Sequence, residues 1–442
     1  MKVLLFLSVG TKNMPILQVA LDIIILKRAL QIAKEAVEGG VDWLEAGTPL
    51  IKSEGMEAVR ALRKAFPDHE VVADMKTMDV GAAEVEMAAR AGASIVCIMA
   101  VSDDETIKDA VRCGRKYGAK IMVDMMSVPN RPKRARELEA MGVDYICHHV
   151  GIDEQMKAIT GETELFDLCK AVSIPVAVAG GLNSETVAQV LKAGAEIVIV
   201  GGAIIKAAKP AAAARAVKKA MRTGKKVKSD LYKKYKSTEI RQAFMKVSTP
   251  NIMDAIHRKG AIIGLRPINR PAIKIAGPVV TVRTADGDWA KAVEAIDKAK
   301  KGDILVIEAG GGHTAVWGEL ATWSCKQKDI QAVIIDGAIR DVDDIAAIGF
   351  PAWARNISPH AGEPKGFGEI GVEIMIGGQT VHNGDWVVGD ESGLVVIPKE
   401  RAQEAANRAL DVFEREKRIR EEIKRGSTLS KVLELEKWEK VQ

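Results

Sequence analysis

Three short segments place carboxylates, a lysine and a histidine at spacings that could do chemistry. In Ala73-Asp74-Met75-Lys76-Thr77-Met78-Asp79, Asp74 and Lys76 stand two apart in an apolar run, so on a strand both side chains point the same way. A carboxylate there keeps the ammonium charged and in place, while Asp79, just past the run, sits in a loop that can reach a neighbour. Read only as a buried ion pair, this D-x-K-x-x-D spacing would leave Glu45 and Asp22 unexplained. Glu45 and Asp74 are two hard oxygen donors, few enough for a magnesium or manganese ion to keep waters or take substrate oxygens. Such an ion can hold a cis-enediolate. Gly180-Gly181 and Gly201-Gly202 close two later apolar runs, where backbone amides and a following helix form a phosphate site in many parallel barrels. The pair His148-His149 ends another run, and alternation turns His148 to the face opposite His149.

The elements that must position these residues are periodic. From Leu17 to about Gly224 one unit recurs: a short apolar run, a turn and an amphipathic helix often ending near glycine, the pattern of a parallel barrel. The eight runs are 17–22, 43–47, 71–76, 95–100, 120–125, 145–150, 175–181 and 197–203. Asp22, Glu45, Asp74, Lys76, Asp124 and the histidine pair gather at their C-terminal ends, where (β/α)8 barrels carry their active sites. The fold class expected is α/β: an N-terminal (β/α)8 TIM barrel over 1–224, a basic linker over 225–238 and a second α/β domain over 239–442. A length of 442 residues, 47% of them hydrophobic, suits two cores of about 200 residues each. The lysine-rich stretch 225–236 is read as a solvated connector in preference to an RNA-binding tail.

Lysine and arginine (64) nearly balance aspartate and glutamate (59), net +5, so neither nucleic acid nor a membrane surface is expected as partner. No apolar run approaches the ~20 residues of a membrane span. Cys97, Cys113, Cys147, Cys169 and Cys325 are odd in number without C-x-x-C spacing, which fits a reduced, cytoplasmic protein. The opening apolar run is short and lacks a small-x-small cleavage site, so residues 1–13 are read as a leader and the domain as beginning near Met14.

Leu17-Gln18-Val19-Ala20-Leu21-Asp22, Glu45-Ala46-Gly47-Thr48-Pro49-Leu50-Ile51-Lys52, Asp74 to Asp79 and His149-Val150-Gly151-Ile152-Asp153 resemble the 3-hexulose-6-phosphate synthase family, of the orotidine-monophosphate decarboxylase superfamily. The resemblance covers Leu17 to Gly224. It implies a homodimer in which Asp79 enters the partner's site, and an aldolase interconverting ribulose 5-phosphate plus formaldehyde with D-arabino-hex-3-ulose 6-phosphate. On that reading Glu45 and Asp74 bind the metal, His149 is the base and Lys76 steadies developing charge. Asp22 and Thr48 meet the sugar, and the four glycines hold its phosphate. The sister 3-keto-L-gulonate-6-phosphate decarboxylases carry an arginine where Ile152 stands, which favours the aldolase; the decarboxylase is the alternative.

In the second half, Ile304 to Glu308 reads as a strand running into Ala309-Gly310-Gly311-Gly312-His313 and a helix containing Gly318-Glu319-Leu320-Ala321. A glycine-rich turn at a helix start binds anions, but the G-x-G-x-x-G of a dinucleotide loop is absent. After the run Val333 to Ile339, Arg340 could grip a carboxylate while Asp341 serves a hard metal. With Ser248 to Asp254 and Gly384 to Asp390, these motifs resemble the RraA-like family, which includes ribonuclease regulators and magnesium-dependent keto-acid aldolases. The resemblance implies trimers or hexamers. It gives Gly318 to Ala321 and Arg340 a keto-acid site and Asp341 its metal, with a regulatory or scaffolding module as the alternative.

Overall fold

A computed structural model describes residues 14–151, 155–156, 162–229, 233–433 and 435. The chain divides into two compact units, Met1–Lys234 with Lys417–Gln442, and Tyr235–Glu416.

In the first unit eight parallel strands close a barrel in chain order: β1 (Ile16–Leu21), β2 (Trp43–Ala46), β3 (Glu70–Thr77), β4 (Ile95–Met99), β5 (Lys120–Asp124), β6 (Tyr145–His149), β7 (Val176–Ala179) and β8 (Ile197–Val200), which pairs back onto β1. These are the eight runs expected. Most stop a residue or more early, because Asp22, Gly47 and Gly180 leave the ladder to form the barrel mouth. Alternation sorts the side chains. Leu17, Val19 and Leu21 pack outward under the helices, while Ala20, Val72, Cys97 and Cys147 fill the interior with Trp43 and Tyr145, whose rings meet edge to face at 5.6 Å. Each buried aliphatic side chain contributes about 1.5–3 kcal/mol, so this double core, rather than the polar mouth, holds the barrel together. The helices begin and end on local signals: Asp103 and Asn130 cap Asp104–Tyr117 and Arg131–Met141, and Gly118 and Gly142 close them in left-handed conformation.

The second unit is built on a nine-stranded mixed sheet. Its parallel centre runs through Ile275–Arg283, Ile304–Glu308, Ala332–Ile339 and Ala352–Ile357. Leu305, Ile307, Val333 and Ile335 face one core, Ile304, Val306 and Ile334 the other, which is why these strands read as unbroken apolar runs. Trp386–Asp390 and Gly393–Ile397 continue the sheet in antiparallel fashion.

Two boundaries differ from those read off composition. The basic stretch is not a free connector at its described ends: Ser184 and Val227 exchange two hydrogen bonds (3.0 and 2.7 Å), the Ser229 amide donates to Glu185, and Tyr235 is buried in the second unit's core. Charge dominates its composition, but pairing decides its path. At the other end, Lys417 onward groups with the barrel rather than with the second unit. Arg418, 3% exposed, donates to the carbonyls of Ala207 and Ala208, and Arg28 pairs with Glu422. The helix Ala402–Lys424 is one uninterrupted run, so nothing local marks that change.

Candidate active site

The C-terminal ends of the strands surround a cavity of about 430 Å³. Asp22, Glu45, Thr48, Asp74, Lys76 and His149 all line it, as do Gly180, Gly181, Gly201 and Gly202. Simple alternation does not deliver Lys76. The β3–β4 register shifts between Asp74 and Thr77, and Lys76 is left-handed at φ 51. A lysine held there costs of order 1–3 kcal/mol and marks a site over-determined by its surroundings. The result is a tight network: Lys76 Nζ donates to Asp74 Oδ1 and Oδ2 at 2.8 and 2.6 Å and lies 3.1 Å from Asp124 Oδ2. Burial alone would depress Lys76, but the Asp74 and Asp124 charges raise it above its ordinary range, so it is a fixed cation.

Asp124, expected at the mouth from its place at the end of its run, is the residue to which no motif gave a role. Burial favours its neutral form, yet the hydrogen bond and charge of His149 and the charge of Lys76 hold it down to about 2. An ionised carboxylate only accepts, so the 2.7 Å contact between His149 Nδ1 and Asp124 Oδ2 assigns the Nδ1 proton to His149. In the neutral ring Nε2 would then carry the lone pair. His148, on the other parity, is buried on the opposite side of the strand. Asp124 shares the inward parity of Met122, a signal present in the apolar run itself. Lys206, which also lines the cavity, had no such signal, because only the turn after Gly202–Ile205 brings it round.

Three carboxylates share one wall. Burial, then the charges of Asp74 and Asp22, pushes Glu45 well above the usual carboxylate range; burial, then Asp74, raises Asp22. Asp22 fits only because residue 47 is glycine: a Cβ there would lie 2.3 Å from Asp22 Oδ1. Oxygen-only donors that repel one another in this way suit a hard divalent cation. Among the described residues no group of three or more His, Cys, Asp or Glu side chains is placed to hold a metal ion by itself. Thr48 Oγ1 donates to Asp74 Oδ2 at 2.8 Å and fixes that carboxylate. Burial pushes the Cys97 and Cys147 thiols well up, so they are inert lining; the five cysteines are all free. Asp79 is exposed, accepts from the adjacent Val80 amide and is absent from the lining of its own cavity. Ile152 and Asp153 lie outside the described residues, as does the leader 1–13.

The orotidine 5'-phosphate decarboxylase / HUMPS family model matches residues 15–217. A 3-hexulose-6-phosphate synthase of Mycobacterium gastri is 40% identical over 205 residues, 46% of this chain and 99% of that protein. That of Bacillus subtilis (strain 168) is 41% identical over 203 residues, 46% of this chain and 96% of that protein. The chain belongs to the orotidine 5'-phosphate decarboxylase / HUMPS family. This family member is an enzyme of the carbon–carbon lyase class. A crystal structure of a 3-hexulose-6-phosphate synthase, 41% identical, covers 46% of the chain and 98% of its own, with a TM-score of 0.45. The RraA-like model, described as Aldolase/RraA, matches residues 249–396, so the family's barrel is here fused to an RraA-like domain.

In that domain Gly318 is the cap of the helix Glu319–Gln327, and Arg340-Asp341 follows the strand Ala332–Ile339. The Glu319 amide donates to Asp341 Oδ2 at 3.1 Å, and Arg340 Nε lies 3.4 Å from the same oxygen. A Cβ at 318 would approach that carboxylate to 2.5 Å. The predicted residues are therefore brought together, Leu320 and Arg340 exposed and Ala321 half-buried, with Asp341 bonded to the helix start.

No helix among the described residues is long and apolar enough to cross a membrane.

Proposed function

We propose that the barrel interconverts ribulose 5-phosphate plus formaldehyde with D-arabino-hex-3-ulose 6-phosphate, using a divalent cation, Mg²⁺ or Mn²⁺, held by Glu45 and Asp74. The observation that carries the reading is the His149–Asp124 contact at 2.7 Å, which leaves a basic nitrogen at the mouth of a cavity large enough for a phosphosugar. His149 Nε2 takes a proton from C1 of the ketose. The electron pair left behind forms the new bond to the formaldehyde carbon, whose oxygen then collects a proton. Asp124 keeps the imidazole in the tautomer the first step needs and stabilises the imidazolium it becomes. Lys76 faces the negative charge that develops beside it. The bound cation would supply further stabilisation of charge on the neighbouring substrate oxygens. Asp22 accepts from substrate hydroxyls. The amides of Gly180, Gly181, Gly201 and Gly202, with Lys206, hold the phosphate. Asp79 is reserved for the cavity of a second copy, which makes the barrel a dimer.

The test is condensation of formaldehyde with ribulose 5-phosphate by the full chain, followed with and without excess chelator. Turnover should vanish in chelator and return with added Mg²⁺. Persistence in chelator removes the cation, and no condensation under any condition removes the aldolase reading.

For the RraA-like domain we infer a keto-acid site at Gly318 to Ala321 and Arg340, with Asp341 toward a metal. The convergence of a helix start, an arginine and an aspartate supports it, and trimers or hexamers of this domain belong to the same reading. A regulatory module would bind neither metal nor keto acid.

A further inference from the structure

Gln18 is wholly buried on β1, on the inward parity of Ala20, beneath the cation-binding wall. Its Nε2 donates to Glu45 Oε2. Its Oε1 is buried with no hydrogen-bond partner among the described residues. With Glu45 ionised, as a cation ligand must be, the amide cannot be turned to exchange the two atoms without setting a carbonyl against a carboxylate, so the orphan is the cost of the bond to Glu45. An unsatisfied buried acceptor costs about 1–3 kcal/mol, and an aliphatic side chain here would avoid it among neighbours such as Trp43 and Ile199, with which Gln18 pairs across the ladder. Apart from Glu45, Asp74, Asp124 and His149 at the mouth, the inward-facing neighbours of Gln18 are apolar, Trp43, Val72, Ile95, Met122, Ile197 and Ile199 among them. A stability cost kept inside an otherwise apolar layer, with its one hydrogen bond aimed at a single oxygen, calls for a role beyond packing.

We propose that Gln18 is a positioning residue: it holds the Glu45 carboxylate in the orientation that presents its other oxygen, Oε1, to a divalent cation. This rests on the cation reading above. Gln18 touches neither substrate nor ion. It acts through Glu45, as Thr48 acts through Asp74, whose carboxylate Lys76 also holds. Partners of this kind are worth about 10–100-fold in metal affinity or activity.

The experiment is calorimetric titration of the full chain with Mn²⁺ and with Mg²⁺, alongside thermal melts, for the wild type, Gln18→Met and Gln18→Asn. Methionine keeps length and volume without a donor; asparagine keeps the amide but draws it back by one methylene. Both should weaken cation binding about 10–100-fold while remaining cooperatively folded. In a Glu45→Ala background, adding Gln18→Met should change affinity no further, since the residue through which it acts is gone. Wild-type binding matched by both variants overturns the positioning role and leaves the cation reading standing. A wild-type chain that binds neither ion overturns both. An effect of Gln18→Met that persists in full without Glu45 also overturns it, because the residue would then be acting through general packing. Should Gln18→Met not fold, the asparagine variant carries the same comparison.

Discussion

Because Asp124 Oδ2 meets His149 Nδ1 and forms an ion pair with Lys76, its replacement tests the chemistry at a single atom. Asp124→Asn keeps the volume but presents an amide, so nothing obliges the imidazole to carry its proton on Nδ1, and Lys76 keeps only Asp74. The expected outcome is a fall in kcat of about 10²–10⁴-fold, the usual worth of a positioned base, with KM changed little because the sugar contacts proposed for Asp22 and the glycines are untouched. Steady-state kinetics of the condensation decide it. A variant within a few-fold of wild type would take Asp124, and with it the assigned tautomer, out of the mechanism. At this scale the sequence spoke unevenly. Asp74, Lys76, Glu45 and His149 stood out by spacing; Asp124 was placed at the mouth by its position at the end of its run but given no role, and Gln18 passed as one residue of an otherwise apolar run. Their roles depend on which side chain the neighbouring strand presents, and that is a property of register.

At the scale of elements, both units show how far periodicity carries an argument. The eight barrel runs and the central strands of the second sheet were legible because strands buried on both faces must be continuously apolar. The β3 irregularity that aims Lys76 was not, since a left-handed lysine has no sequence mark. Loops are bound by contacts equally invisible in the sequence. Asp288, only 3% exposed, accepts from the amides of Ala290, Lys365 and Phe367 at 3.1, 3.1 and 2.8 Å. It thereby ties the loop carrying residues 365–367 to the start of the helix Ala290–Lys298. Burial would raise its carboxyl, but these amides outweigh that and hold it below the ordinary range. Asp288→Ala should destabilise the second unit by about 2 kcal/mol, a melting shift of roughly 4–8 °C. A depressed folded-state value means that this stability is complete above the unfolded value near pH 4 and is lost as pH falls through the folded one. The melting difference between variant and wild type should therefore be full at pH 7 and shrink in acid. A difference that is absent at pH 7, or that grows toward acid, contradicts the tie.

The chain as a whole carries two sets of cores. The barrel's interior and outer layers draw on residues of the first unit, and the clusters of the second sheet draw on residues 235–412. Sites standing on separate cores should fail separately, which is testable in the intact protein without dissecting it. If the RraA-like domain has a keto-acid site, the full chain should decarboxylate oxaloacetate faster than dissolved magnesium does. The enolate of pyruvate arises both in that reaction and in retro-aldol cleavage, so a site built to stabilise it should show the activity whatever its natural substrate. Arg340→Ala should then cost about 10–100-fold in kcat/KM, the worth of one charge-assisted bidentate contact, with effects on both binding and turnover. Asp341→Ala should lose metal dependence. It also removes the acceptor of the Glu319 amide, so its melting curve must be compared with that of wild type before the loss is assigned to chemistry. Neither change should alter formaldehyde condensation at the barrel, and Asp74→Ala, which should abolish condensation, ought to leave oxaloacetate turnover intact. If the wild-type chain gives only the background rate of free magnesium, the enzyme reading of the second domain fails and the regulatory one replaces it. If instead Arg340→Ala depresses both activities equally while the fold persists, the two sites are coupled and the independence of the cores is the step that was wrong.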